Sequence, residues 1–482
     1  MWSCLSNPDK LSRDVIIVAV PWTDTDIPMM APAALKPIVE KAGLSCLAVD
    51  LNQEVYQYTR NHQHKDHFVK FFFDEILDPE IQQETLDMFE SIALDIVSYK
   101  PKWLGLSLLS YVCQVSAKWI AYHVRKLDPS IKIMFGGAGC LPTFTGPSPY
   151  INKLQKQNLV DYHIRGDGEN SLYELLTGND GFSGINDQEW TQLTNDDLAV
   201  IPMPDYSDYL LHTYRKKTLP LIGNRGCVRQ CTFCDYIANW KKFQWRTADH
   251  IFDEMLQQHE KYGVQHFKFQ DALINGNVKE FTRLTKLLAD HNTANPDRAF
   301  TWSSFYIFRE VTASSERDWE WVAKSGADTL FVGIENLNQH IRYAMGKKFS
   351  NESIDFHLAQ AQKYQVTCVL GNIVGYVNET QEDIDFIKQW LRTHTHFRDI
   401  AKLQWGGTLG IFPNTYLERN QQELGIIMIG DTPQQWINPK IDSNPGRRAH
   451  WAQELISLSR QLGYTVFDEL DNHFILEKLS NG

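Results

Sequence analysis

Three cysteines, Cys227, Cys231 and Cys234, stand at C-x3-C-x2-C spacing in the stretch Gly226-Cys227-Val228-Arg229-Gln230-Cys231-Thr232-Phe233-Cys234-Asp235. Thiolates are the usual protein ligands of iron–sulfur clusters, and a loop this tight can aim all three at one small cube. A [4Fe–4S] cube has four irons, so three cysteines leave one corner open to a substrate or cofactor. A purely structural metal site is normally closed by a fourth ligand. The competing chemistry is a zinc knuckle built on Cys231 and Cys234. It needs a second ligand pair, and His212 and His250 stand alone on either side.

Such a loop must leave the end of a strand, and the apolar run at 219–223 supplies one. Beyond it the hydrophobic period alternates between that of helices (248–262, 278–290, 316–323, 354–364, 380–392) and that of strands (264–269, 299–305, 329–333, 366–370, 401–405). Six strand–helix units are too few for a closed eight-stranded barrel. The expectation is a partial TIM barrel, (β/α)6, with its chemistry at the carboxyl ends of the strands. Upstream, strands at 15–20, 45–49, 103–108, 131–135 and 160–164 alternate with helices at 33–42, 115–127 and up to 176. That order implies a doubly wound, Rossmann-like parallel sheet whose ligands sit outside the carboxyl ends, at loops 21–32, 107–113 and 136–143. A proline-marked connector at 201–206 separates the halves. The expected division is therefore α/β throughout, with domains 1–200 and 201–410 and a small C-terminal region 411–482. That last region holds a helix at 448–462 and a strand-like run at 474–477.

The triplet, with Phe233 at the aromatic place, resembles the signature of the radical S-adenosylmethionine (SAM) superfamily. Three later strand ends extend the resemblance: Phe269-Gln270-Asp271 with Asn275, Gly333-Ile334-Glu335 followed by Met345-Gly346-Lys347, and Gly371-Asn372-Ile373-Val374-Gly375. The family's usual G-x-P-G-E-T ending appears here as Gly375-Tyr376-Val377-Asn378-Glu379-Thr380, which puts the shape of that turn in question. The resemblance implies that Cys227, Cys231 and Cys234 bind a [4Fe–4S] cluster and that Phe233 buttresses the loop and adenine. It implies that Glu335 orients the SAM ribose, since a carboxylate accepts from two hydroxyls at once, and that the Ile373–Gly375 segment lies along adenine. Asp271 is either an acceptor for the SAM amino group or a cap for the helix after it. The resemblance implies further that SAM chelates the open iron and that one electron cleaves it to methionine and a 5′-deoxyadenosyl radical. A reductant such as flavodoxin or ferredoxin is implied. No residue is assigned to chemistry on the substrate.

Ser107 after the third strand and Gly136-Gly137 after the fourth look like the cobalamin-binding domain fused to many of these enzymes. The alternative is a plain flavodoxin-like domain holding nothing. Asp161-Tyr162-His163-Ile164-Arg165-Gly166 matches the D-x-H-x-x-G motif of histidine-ligated cobalamin proteins. It falls after both loops instead of before them, so His163 is expected on a sheet face. Loop 21–32 has no histidine, so no imidazole is expected below the cobalt, a face that Trp22 or Met29 could cover. Methylthiotransferases carry a second, N-terminal cysteine cluster. Here only Cys113 and Cys140 fall in suitable loops, too few to make one.

The chain has 482 residues and a formal net charge of −12, which argues against general nucleic-acid binding. A local basic group (Lys216, Lys217, Arg225, Arg229, Lys241, Lys242, Arg246) is either a solvated face or a seat for anionic cofactor groups. The polar start, the lack of an 18-residue apolar run and five scattered cysteines (Cys4, Cys46, Cys113, Cys140, Cys368) lead to the expectation of a reducing cytoplasm. The leading functional expectation is a cobalamin-dependent radical SAM methyltransferase acting on an unactivated carbon of a small metabolite, lipid or peptide. A radical SAM enzyme of another reaction type, such as rearrangement or cyclisation, comes second. A non-catalytic metal or redox sensor comes third.

Overall fold

The computed structural model describes residues 2–6, 11–23, 25–75, 79–140, 150–186 and 190–468. They form two compact units, Met1–Pro220 and Leu221–Gly482. No helix among the described residues is long and apolar enough to cross a membrane.

The first unit is built on β1 (Val15–Ala19), β2 (Cys46–Asp50), β3 (Trp103–Ser107), β4 (Lys132–Gly136) and β5 (Tyr162–Ile164). They pair in the order β2-β1-β3-β4-β5, every pair parallel. β1 and β2 are buried at every position, which is why β1 reads as an unbroken apolar run and β2 as one up to Asp50. Helix α1 (Met30–Lys41) joins β1 to β2, and α2 (Asn52–Arg60), α3 (Lys65–Asp74) and α4 (Gln82–Ser98) fill the connection to β3. Helix α5 (Cys113–Leu127) leads to β4, and α6 (Gly168–Leu176) follows β5. The order reverses at β1, which places the crevice outside the carboxyl ends of β1 and β3. Register puts Asp50, Ala19, Ser107, Gly136 and Ile164 in one row along that edge.

Strand β6 (Thr218–Leu221) leads into the second unit. β7 (His266–Phe269), β8 (Thr301–Tyr306), β9 (Ala327–Glu335), β10 (Thr367–Val374) and β11 (Ala401–Thr408) then lie side by side in chain order. Helices α7 (Ala248–Tyr262), α8 (Val278–Ala294), α9 (Glu316–Lys324), α10 (Asn351–Tyr364) and α11 (Gln381–Thr393) alternate with them. This is the six-fold strand–helix repeat of a partial barrel. Helix α12 (Pro445–Gln461) then brings in a seventh strand, β12 (Val466–Asp468), parallel to β11. On β9, Leu330, Val332 and Ile334 are buried, while the alternate Phe331, Gly333 and Glu335 are half-buried on the opposite face.

Two features depart from the reading of the sequence. Helices α2, α3 and α4 had no assigned place, and the closing strand is Val466–Asp468; the run at 474–477 and the end of loop 136–143 lie outside the described residues. His163 is on β5, opposite Phe135 and buried, as its position in an alternating strand suggested.

Candidate functional site

The cysteine loop is an excursion from the end of β6. Asp271, after β7, anchors its start: Oδ1 accepts the amides of Gly223 (2.7 Å) and Asn224 (3.0 Å), and Oδ2 accepts Asn224 Nδ2 (3.0 Å). Both carboxylate oxygens thus hold the strand end. Burial raises the Asp271 carboxyl to about 7, against the pull of those amides. Asn224–Arg225 pairs antiparallel with Gln244–Trp245, so the chain comes back beside its point of departure. Arg246, just after, is buried against Glu254 at 2.6 Å and donates to the Ile222 carbonyl. Of the basic group, it is a strut inside the barrel; Lys216 lies 3.5 Å from Asp26, and Arg229 reaches the Phe308 carbonyl.

Within the loop Cys231 is buried, and Cys227 and Cys234 are half-buried. Burial pushes all three thiols up, Cys231 to about 12; Lys347 opposes this at Cys227 and Cys231. The Arg229 amide points at Cys227 Sγ (3.4 Å), and the amides of Ile237 and Tyr236 favour a thiolate at Cys234. N–H donors and one ammonium around three sulfurs suit an anionic cluster. A loop that offers three sulfurs and no imidazole fits the ligand set of a cube.

Two strand ends close around this loop. Glu335 ends β9 with φ +64, and its Oε1 lies 2.9 Å from Lys347 Nζ, both side chains largely buried. Burial lowers the Lys347 ammonium, but Glu335 and Cys231 outweigh it and hold it at about 12. Gly333 makes room for the pair: a Cβ there would lie 2.4 Å from Glu335 Oε1 and 2.9 Å from Lys347 Nζ. The turn carrying Lys347 rests on the cysteine loop. Thr232 N donates to the Met345 carbonyl (3.1 Å), and a Cβ at Gly346 would meet the Gln230 carbonyl at 2.8 Å. From β10, the Tyr376 hydroxyl lies 2.8 Å from Thr232 Oγ1 and donates to the Ala344 carbonyl (3.0 Å).

The unusual ending after Gly375 is held by a residue that the sequence did not single out. Buried Glu379 accepts the amides of Gly375 and Tyr376 on Oε2 and Asn336 Nδ2 on Oε1 (2.6 Å). One carboxylate therefore ties the end of β10 to the residue following Glu335. Phe233 and Ile373 pack against the same apolar cluster, which includes Met345, Tyr376, Leu417 and Trp436. The Leu417 amide also donates to the Thr232 carbonyl (3.2 Å). The C-terminal region is thus part of the floor beneath the cysteine loop.

In the first unit, Ser107 and Gly136 lie level on the carboxyl edge. Gly137, at φ +99, sits so close to the next loop that a Cβ would meet the Leu108 carbonyl at 2.3 Å. Leu109 and Tyr111 are exposed beside it. Trp22 is buried against Phe72 (ring centroids 5.0 Å) and Tyr56 (5.9 Å). Cys113 and Cys140 are both buried, with thiols pushed up by burial, so they serve packing.

Residues 221–391 match the profile of the radical SAM superfamily, starting where the second unit starts. The chain carries a radical SAM domain. An uncharacterized methyltransferase of Pyrococcus horikoshii is 24% identical over 320 residues, 62% of this chain and 65% of the relative. The anaerobic magnesium-protoporphyrin IX monomethyl ester cyclase of Synechocystis is 23% identical over 49% of each. The chain thus covers just under two thirds of the first relative and about half of the second. The radical SAM methyltransferase TsrM of Kitasatospora setae, solved with cobalamin and a [4Fe–4S] cluster, superposes with a TM-score of 0.67 at 15% identity. That superposition covers 96% of this chain and 92% of that one. The radical SAM domain and the parallel-sheet unit before it therefore share their folds with that structure.

Proposed function

We propose that the protein is a radical SAM enzyme and that its first unit binds cobalamin for methyl transfer to an unactivated carbon. The observation that carries the reading is the junction of three motifs. The Met345-Gly346-Lys347 turn rests on the cysteine loop and delivers Lys347 to Glu335 beside Cys231. Held by the three cysteines, a [4Fe–4S] cluster would supply the electron for reductive SAM cleavage, and cobalamin on the first unit would supply a methyl carrier.

In this reading Cys227, Cys231 and Cys234 hold the cluster, and Glu335 offers its second oxygen to the ribose hydroxyls while Lys347 fixes the first. Ile373 and Phe233 form the apolar wall against adenine. Asp271 positions the start of the loop through three donors on its carboxylate, with an acceptor site of Oδ2 left for the SAM amino group. Ser107, Gly136 and Gly137 form the bare edge that a flat corrin needs, backed by Leu109 and Tyr111.

The test is anaerobic reconstitution with iron, sulfide, cobalamin, SAM and dithionite, followed by product analysis. S-adenosylhomocysteine together with 5′-deoxyadenosine supports methyl transfer. Deoxyadenosine alone moves the assignment to another radical reaction, which the cyclase among the relatives favours. Zinc taken up by the three cysteines in place of a cluster, or a cluster that never cleaves SAM, removes the enzymatic reading. Cys231→Ala is expected to abolish SAM cleavage, and full turnover by that variant would take Cys231 out of the ligand set.

A further inference from the structure

The segment Asn61-His62-Gln63-His64-Lys65-Asp66-His67, at the turn from α2 into α3, is absorbed by none of the functions above. His64 precedes the first residue of α3 and His67 lies in its first turn. Glu80 comes to them from the connection to α4. One ligand atom from each of His64, His67 and Glu80 lies within 4.8 Å of the other two. His64 Nδ1 lies 4.0 Å from Glu80 Oε2, too long for a hydrogen bond. Donors sharing a tetrahedral ion with bonds of about 2.0–2.1 Å stand about 3.4 Å apart, so a small closure would bring the three onto one ion.

His62 is differently employed. Its Nδ1 accepts the His64 amide (3.1 Å) and its Nε2 faces Glu84 Oε2 (2.9 Å), which fixes its tautomer and the backbone carrying His64. An imidazole with both nitrogens engaged is a positioning residue, as expected around a metal ligand.

We propose that His64, His67 and Glu80 bind one divalent cation of the zinc class. Two imidazoles and a carboxylate form a nitrogen and oxygen set without sulfur, suited to zinc and not to an iron–sulfur cluster. Glu80 is two-thirds exposed, which leaves a fourth position to water. The ion clips the start of α3 to the approach to α4. Helix α3 carries Phe72 and α2 carries Tyr56, the two rings that hold Trp22 in the loop after β1. The cation therefore ties the three-helix insertion together beside that loop while keeping one position open to water. The site does not rest on the radical SAM reading, and its test needs neither SAM nor turnover.

The test uses the full-length chain with its cluster reconstituted, so that the three cysteines are occupied. After chelator treatment and dialysis against micromolar zinc, metal content is read by mass spectrometry, and zinc affinity by competition with a chromophoric chelator. One zinc per chain is expected. Glu80→Gln, an exposed change that does not threaten folding, and His67→Ala should each weaken binding by about ten-fold or more. His450→Ala, on α12, should leave it unchanged. Zinc should also raise the melting temperature of the wild type and not of His67→Ala. No zinc uptake by the wild type, or equal affinity in Glu80→Gln, overturns the assignment.

Discussion

Glu335 occupies a left-handed backbone conformation that costs a non-glycine residue about 1–2 kcal/mol. The folded chain sustains it through the Lys347 pair and the space left by Gly333. Gly333→Ala should therefore push the carboxylate out of place. SAM cleavage should fall at least about ten-fold, as expected when a binding carboxylate is misplaced, while iron content stays normal; an unchanged KM for SAM would contradict this. A second expectation concerns pH. Burial holds Asp271 and Glu379 at about 7 in the folded chain. Unfolded carboxyls titrate near 4, so between about pH 4 and 7 the folded state binds more protons. The contribution of these groups is complete below the lower value and is lost as pH rises through the upper one. In urea titrations the wild type should lose stability relative to Asp271→Asn as pH climbs through that window. A parallel dependence in both proteins would show that Asp271 does not titrate there.

At the scale of elements, the cysteine loop is shaped by pieces far away in the chain: β9, the turn at Met345, β10 and the segment at Leu417. Tyr376→Phe removes one hydroxyl that serves both Thr232 and Ala344. It should cost about 1–3 kcal/mol and speed the release of iron to a chelator, with unchanged release excluding the tie. These contacts also mark where sequence reading stops. Strands such as Val15–Ala19 and helices such as Ala248–Tyr262, closed by Gly263 at φ +64, are written locally in period and cap. The cysteines stood out because their spacing is itself the chemistry, and the Gly333-Ile334-Glu335 stretch through the family resemblance it carries. Glu379 and Tyr376 were not, since what marks them is a partner on another strand. Helix α2 was hidden by its polar composition, its apolar positions being few and shared with the aromatic residues of α3.

At the scale of the whole molecule, the two units have different designs: a sheet whose order reverses at β1 and a barrel segment whose strands follow chain order. Loop residues 21–32, 107–113 and 136–140 contain no histidine, and His163 is buried within β5. Electron paramagnetic resonance of bound cob(II)alamin should accordingly show no nitrogen splitting from a protein imidazole; such splitting would overturn this view of the first unit. The barrel's simple order has a further consequence. As the polypeptide leaves the ribosome, β6 to β10 can assemble in sequence, but Leu417 and Trp436, which support the cysteine loop from below, emerge much later. The floor of the cysteine loop is therefore completed only after these two residues emerge, so the loop takes its final shape later than the strands it springs from.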